Sequence, residues 1–457
     1  MTKSLLASLA LAATVAMASM TGTGCGFGGG LNDNIHNPGD EPGGVNVAAG
    51  NIAVAPSGDY FLFERENKLA VGWVATGAVN ELPVNDPARL AFSKQRRFVY
   101  VTTQTGQLKA VDVDARAVTW SAAISTSSDA LVVSTEDDSR VAVGAGGAVE
   151  LFDAASGAEI ASQLLDNLVV DLEVLPDDER LLVVERHEFV ETLPTTTLHV
   201  IELDDGTARE FEVPNCSDNI IVPSHGEIAL LAPTTCSQDP ISIIDLTAGA
   251  EQFVRNLPGF GPVALGPDGT MAVGFLDKQL VDVSLFDDPE QIPTDQARYH
   301  LMVIDTETLG YDFYPWGENL PRYAMTPDGS VLLVDQSLAL GSARLFDLDE
   351  RVFVDLQGPQ VTFEHLTFSG DSHHAYLLSD LEHHTSTSQG AWIDYQLYDL
   401  DIPTATVELL PTDFRPRNLN LAPGADKLFL RKDAANICIY SLELKSCERM
   451  VALTTVQ

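Results

Sequence analysis

The sequence predicts an all-β chain folded as a single β-propeller of about eight four-stranded blades, with seven and nine also compatible. Three observations carry this prediction. Tight turns of the Pro-Asp-Gly kind recur along most of the chain, each turn is followed by a short apolar run, and no stretch beyond residue 24 holds a sustained helical period.

The turns are clearest at Pro56-Ser57-Gly58, Pro267-Asp268-Gly269 and Pro327-Asp328-Gly329. Looser forms stand at Ser93-Lys94-Gln95, Glu136-Asp137-Asp138, Pro176-Asp177-Asp178, Ser224-His225-Gly226, Ser369-Gly370-Asp371 and Pro423-Gly424-Ala425. Proline presets one turn dihedral and glycine tolerates positive φ, so these residues mark hairpins for steric reasons. The runs that follow, such as Tyr60 to Phe63, Phe98 to Val101, Leu181 to Val184 and Val331 to Val334, read as buried strands. A third strand then ends at Asp112, Asp153, Asp245, Asp305, Asp347 or Asp399, with Ser441 in that place in the last unit. Nine turns between Ser57 and Gly424 have a mean spacing of about 46 residues, the length of a four-stranded propeller blade. One such sheet cannot bury both faces, so the sheets pack side by side in a ring. Nine turns against an expectation of about eight blades implies that one terminal unit is incomplete or that one turn is spurious.

The chain has 457 residues, 45% of them hydrophobic, which supports a large core and excludes disorder throughout. Against 66 Asp and Glu stand 26 Lys and Arg, a net charge of −40. That charge excludes nucleic-acid binding by broad phosphate neutralisation. Excess carboxylate with few lysines also fits a hydrated, strongly solvated surface; an acidic face for cationic partners or divalent ions is the alternative.

Residues 1–24 have one positive charge at Lys3, an apolar run from Leu5 to about Met20, and the small residues Gly22, Thr23 and Gly24 before Cys25. This is the pattern of an export signal. Its exit resembles a bacterial lipobox, departing from it at Gly22, where Leu is usual, and the resemblance implies that Cys25 is lipidated and becomes the mature N-terminus. Composition then assigns residues 25–47, rich in Gly, Pro, Asn and Asp, to a flexible tether, and 48–457 to the propeller. The expected location is the bacterial cell envelope, outer membrane, periplasmic or surface-facing, with the anchor as the only membrane contact.

Four cysteines remain after Cys25, an even number in a compartment where disulfides persist. Cys216 with Cys236 and Cys438 with Cys447 each flank an expected turn, so these two pairings are expected across hairpins; four free buried thiols are the alternative.

The stretch LKAVDVDARAVTW, Leu108 to Trp120, resembles the repeat of quinoprotein-type propellers, with a strand ending in Asp and a Trp on the next. VELFDAASGAEI, Val149 to Ile160, is similar, with Ile160 near the Trp position. VAPSGDY and ALGPDGTMAV resemble YVTN and WD-repeat-like propellers of bacterial surface and periplasmic proteins, without the Gly-His and Trp-Asp pairs of true WD repeats. The resemblance implies architecture alone.

No catalytic or cofactor-binding residue is singled out. His373-His374 and His383-His384, on one extended strand, would stand roughly 30 Å apart and could not share an ion; a local site at Glu382, His383 and His384 with an outside ligand is the alternative to an exposed loop. Asp112-Val113-Asp114 and Asp347-Leu348-Asp349 alternate carboxylates but stop short of a calcium loop. There is no nucleophile elbow, phosphate loop or dinucleotide fingerprint. The four tryptophans, Trp73, Trp120, Trp316 and Trp392, are too few to dock the ring of indole contacts seen in pyrroloquinoline quinone enzymes. Three long segments, Arg186 to Thr197, Leu276 to His300 and Leu381 to Ala391, lie between second and third strands and are expected on one rim. The function expected is a protein- or ligand-binding scaffold with no cofactor. A propeller enzyme, a quinone-dependent dehydrogenase or a lyase, is the alternative. The chain also resembles envelope-assembly propellers that recruit a partner along strand edges.

Overall fold

A computed structural model describes residues 45–47, 51–125, 130–186, 196–213, 219–223, 228–232, 241–245, 253–257, 260–279, 292–319, 321–336, 343–363, 365–379, 395–421, 426–433 and 435–453. The described residues form nine antiparallel sheets and no helix. In chain order these blades run Ile52–Asn85, Pro87–Ala123, Leu131–Leu164, Leu168–Val213, Asn219–Leu257, Phe260–Gly317, Pro321–Asp355, His365–Leu409 and Asn418–Ala452. The blade number is therefore nine rather than eight. Every turn in the sequence opens a genuine blade, and no terminal unit is incomplete. Two of those turns, Ser224-His225-Gly226 and Pro423-Gly424-Ala425, lie outside the described residues, but the strands on either side are present.

Each blade is built from four strands contiguous in sequence, paired first to second to third to fourth. First strands of consecutive blades approach one another and line the centre of the ring. Fourth strands are outermost, and one of them, Ala117–Ala123, alternates exposed and half-buried residues along its length. The second strands are apolar at consecutive positions because both faces are covered. In Tyr60–Arg65, Tyr60 and Leu62 pack toward blade 2 while Phe61 and Phe63 pack toward blade 9.

The core is accordingly divided into nine apolar layers, one at each junction between neighbouring blades. The layer joining blade 9 to blade 1 closes the ring. It contains Ile52, Val54, Phe61, Phe63, Phe429, Ile437, Ile439 and Val451, all buried, with the Phe61 and Phe429 rings edge to face at 5.5 Å. No strand crosses this junction. Arg449 Nη1 adds one hydrogen bond across it, donated to Ala75 O.

The first-to-second and third-to-fourth turns lie on one face of the ring, here the turn face; second-to-third and inter-blade connections lie on the other, the loop face. On the turn face, the left-handed residue in the first-to-second turn of blades 3, 4, 7 and 8 contacts the turn of the preceding blade. Asp138, at φ 56°, accepts from Ser93 Oγ and from the amides of Lys94 and Gln95. Asp178, at φ 59°, accepts from the amides of Glu136 and Asp137. Ser372, at φ 59°, accepts from Asp328 N. The looser turns of blades 3, 4 and 8 are thus variants in which a side chain replaces the glycine and tethers its neighbour. At Gly329, φ 74°, an added Cβ would stand 2.5 Å from the Pro267 ring, so there the backbone itself packs against the preceding turn.

The aspartates ending third strands cap the turns that follow. Asp112 accepts from Ala115 N, Asp153 from Ser156 N and Oγ, Asp305 from the amides of Glu307 and Thr308, and Asp347 from those of Asp349 and Glu350. In blade 8 the capping residue is Asp401, bonded to Thr404, and not Asp399, because the strand runs two residues further. Ser441 takes the role in blade 9 through Leu444 N. The position equivalent to Trp120, opposite Ala110, is Ala161, opposite Leu151, rather than Ile160. Trp120 Nε1 donates to Ala154 O of blade 3, and its ring lies where a Cβ on Gly157 would be, 2.4 Å away.

Cys438 and Cys447 are joined, with Cα atoms 5.8 Å apart on the third and fourth strands of blade 9. They are diagonal neighbours rather than opposite ones: Cys438 faces Met450 and Cys447 faces Tyr440, across a register shift between Ile439 and Tyr440. Cys25, Cys216 and Cys236 lie outside the described residues. Residues Val45–Val47, assigned by composition to the tether, belong to the folded ring: Val45–Asn46 is a fifth strand on blade 2, and Val45 and Val47 are buried.

Phe61→Ala or Phe429→Ala is expected to cost about 3–5 kcal/mol in denaturant unfolding, and the double variant less than the sum, since both rings fill one layer. Asp138→Ala, which strands three donors, is expected to cost about 1–3 kcal/mol, and Asp138→Asn less.

Candidate functional site

The loop face of blades 4 to 8 is the candidate site. The three long segments foreseen as a shared rim connect second to third strands in blades 4, 6 and 8, so they leave the ring on this face. Residues 187–195, 280–291 and 380–394 within them lie outside the described residues, as do His383 and His384. The strand ends that carry the segments are described, and each holds buried polar groups.

In blade 4, Glu185 and His199 are buried side by side, with His199 Nε2 2.6 Å from Glu185 Oε2. Asn167, in the connection from blade 3, donates its side-chain amide to the other carboxylate oxygen at 2.9 Å and its backbone amide at 2.5 Å. Burial pushes the Glu185 carboxyl up, but the bonds from His199 and Asn167 outweigh it and leave it below the ordinary glutamate value. His199 Nδ1 is buried without a hydrogen-bond partner, its nearest carboxylate being Glu210 at 3.9 Å.

In blade 6, buried Asp277 takes the Arg298 guanidinium through both oxygens, Nη2 to Oδ2 at 2.6 Å and Nε to Oδ1 at 3.0 Å. Asp277 raises the Arg298 pKa through this bond. Lys278 Nζ donates to the Asp295 carbonyl, and Asp295 Oδ2 sits 2.8 Å from Nε2 of the fully buried His300. The His300 bond holds the Asp295 carboxyl low. These contacts pin the two ends of the segment to each other across the strand pair.

In blade 7, buried Asp335 accepts from Arg322 Nη2 at 2.6 Å and from Phe363 N at 3.0 Å. In blade 8, buried Ser379 accepts from Thr362 N at 3.1 Å. His365, on the innermost strand of blade 8, lies edge to face against Tyr395, and burial pushes its pKa down to about 4. It is neutral at physiological pH.

The geometry is that of anchored loop bases. Glu185, Asp277, Asp335 and Ser379 are each met by an imidazole, a guanidinium or an amide, and these contacts tie connections to strands, while Nδ1 of His199, His300 and His365 is buried without a hydrogen-bond partner. The groups stand on separate blades, and Thr362 and Phe363 of one connection bond to Ser379 of blade 8 and Asp335 of blade 7. Among the described residues, no group of three or more His, Cys, Asp and Glu is placed to hold a metal ion. His374 Nδ1 lies 2.9 Å from Asp399 and stacks on Tyr376, on the turn-face half of blade 8. Asp114 pairs with Arg97, and Asp112 and Asp347 are occupied as turn caps. The sequence reading located the long segments but missed Glu185, His199, Asp277, Asp335 and His300; their signal was a charged or polar residue inside an apolar strand.

No protein-family model matches the chain, and no curated protein matches it. Solved structures do. A eukaryotic initiation factor structure aligns over 84% of this chain and 91% of its own, at TM-score 0.56 and 14% identity. Dihydro-heme d1 dehydrogenase NirN, in complex with DHE, aligns over 79% of this chain and 73% of its own, at TM-score 0.50 and 12% identity. The chain is a β-propeller. At these identities the likeness extends to the fold and no further.

Many turn carboxylates are held low. Hydrogen bonds from Ser139 and Thr135 do this for Asp137, from Thr270 for Asp268, from Ser369 for Asp371, from Ser156 for Asp153, and from Thr404 for Asp401. A folded value below the unfolded one, about 3.9, contributes stability that is complete above the unfolded value and lost as pH falls through the folded values. The denaturant midpoint is therefore expected to drop below about pH 4, while at pH 7 added salt raises it by screening the net charge. Glu185→Ala, which strands His199 and Asn167 in the interior, is expected to cost about 3–5 kcal/mol in the same measurement.

Proposed function

We propose that this protein is an exported, lipid-anchored propeller that serves as a protein- or ligand-binding scaffold at the bacterial cell envelope. The observation that carries the reading is the departure of three long connections from one face, at strand ends fastened by buried polar contacts. A rigid ring that displays long segments from one side is built for recognition rather than for packing. The export pattern of residues 1–24, Cys25 after small residues, and the Cys438–Cys447 bond support an oxidising compartment outside the cytoplasm. Within propellers, the motifs resemble the YVTN and quinoprotein-like groups. Among the described residues no helix is long and apolar enough to cross a membrane, and in this reading Cys25 alone provides attachment. The partner is a protein or small ligand at the loop face; a net charge of −40 disfavours nucleic acid.

The competing reading is a propeller enzyme, for which the buried Glu185–His199 pair is the specific support. Purified protein with a bound chromophore or bound calcium would favour it.

Two measurements test the scaffold reading. Cys25→Ala is expected to move the protein from the membrane fraction to the soluble fraction, with loss of the lipid mass from the N-terminal peptide. Crosslinking and pull-down from native cells is expected to recover a partner that is lost when residues 381–391 are replaced by a Gly-Ser linker, with an unchanged unfolding midpoint. Recovery of the same partner from both proteins would exclude that segment from the contact.

A further inference from the structure

The described strand Val45–Asn46 directly precedes blade 1 yet does not join it. It pairs antiparallel with the first strand of blade 2, Val45 opposite Leu90 and Asn46 opposite Arg89. First strands line the ring's centre, so this fifth strand lies inside the channel. Val45 and Val47 are buried in the apolar layer between blades 1 and 2, and the Asn51 side chain donates to Asn46 O. The strand is therefore seated in the fold.

Antiparallel pairing sets its direction. Leu90 lies toward the turn-face end of Pro87–Phe92, which runs from the loop face to the Ser93–Arg97 turn. The N-terminal end of Val45–Asn46 consequently opens on the turn face. We propose that the turn face is the membrane-proximal face of the anchored protein and that the loop face of blades 4, 6 and 8 points away from the lipid. The proposal rests on the anchor reading above and adds to it an orientation.

Nineteen residues, 26–44, separate Cys25 from this strand. Strands of six or seven residues make the ring wall about 20 Å deep. Because the described chain enters the ring from the turn face, that mouth gives the shortest connection from Cys25 to the ring. The turn face also carries exposed Glu136, Asp137, Asp177 and Glu179. Facing anionic headgroups, these hold the ring at the tether's length rather than adsorbed.

The test uses the full-length lipidated protein in phosphatidylethanolamine–phosphatidylglycerol vesicles with acceptor-labelled headgroups. A donor is placed at Glu179→Cys on the turn face or at Gln104→Cys on the loop face, both exposed positions. Energy transfer is expected to be several-fold greater from position 179, because the faces are about 20 Å apart and transfer to a plane of headgroup acceptors falls steeply with distance from that plane. Equal or reversed transfer would overturn the orientation. The mass of the N-terminal peptide from the same preparation separates the two failures, since an unmodified Cys25 overturns the anchor itself. In the variant Val45→Asp with Val47→Asp, whose strand is expected to leave its layer, the difference between the two labels is expected to vanish while circular dichroism still reports the β-fold. A retained difference in that variant, with the strand displaced by hydrogen exchange, would overturn the role given to the strand.

Discussion

The structure depends on the apolar layers between blades. No sheet in this ring has an interior of its own; a blade is stable only because its two faces are covered by the blades before and after it. That constraint makes closure obligatory. If the layer between blade 9 and blade 1 were open, Phe61, Phe63, Phe429 and Ile437 would face water. Since the four strands of every blade are contiguous in sequence, side-chain packing closes the ring here as it joins blades at the other junctions, with Arg449 as a polar latch. Burial of whole aromatic rings is a strong enough driving force for that task.

The acidity of the chain has a structural share as well as a solvation share. Asp137, Asp153, Asp177, Asp268, Asp305, Asp328, Asp371 and Asp401 bind amides or hydroxyls in turns, while Asp138 and Asp178 reach into the preceding blade. Aspartate suits both tasks because its short carboxylate reaches amides two or three residues on and because it tolerates positive φ better than most residues. The carboxylates therefore help hold adjacent turns together around one face. On the opposite face three connections are long, and buried ion pairs in blades 6 and 7 fasten strand ends there.

How much was legible follows from the range of each signal. The turn-and-strand unit is local, so all nine units could be read, and the expectation of about eight blades came from the usual size range of propellers. The structure shows how Asp138, Asp178 and Ser372 serve in turns that lack glycine at the left-handed position. The Asp399 assignment was off by two residues because strand ends depend on pairing, which spacing alone cannot locate. Glu185, His199 and His300 were passed over because a polar residue in a strand looks the same in sequence whether it faces water or a partner in the next connection.

Period, turn chemistry and alternation were enough to determine that the chain is all-β, that its units are four-stranded, and that the long connections share a face, because each of these is set within some 45 residues by short-range sterics. Tertiary structure alone decided that the ring closes at nine, that blade 9 meets blade 1 through aromatic packing, and that Val45–Val47 turn back into the channel beside blade 2. Those outcomes depend on how nine twisted sheets fit around a circle and on which apolar side chains meet across it, contacts between residues as far apart in sequence as Phe61 and Phe429.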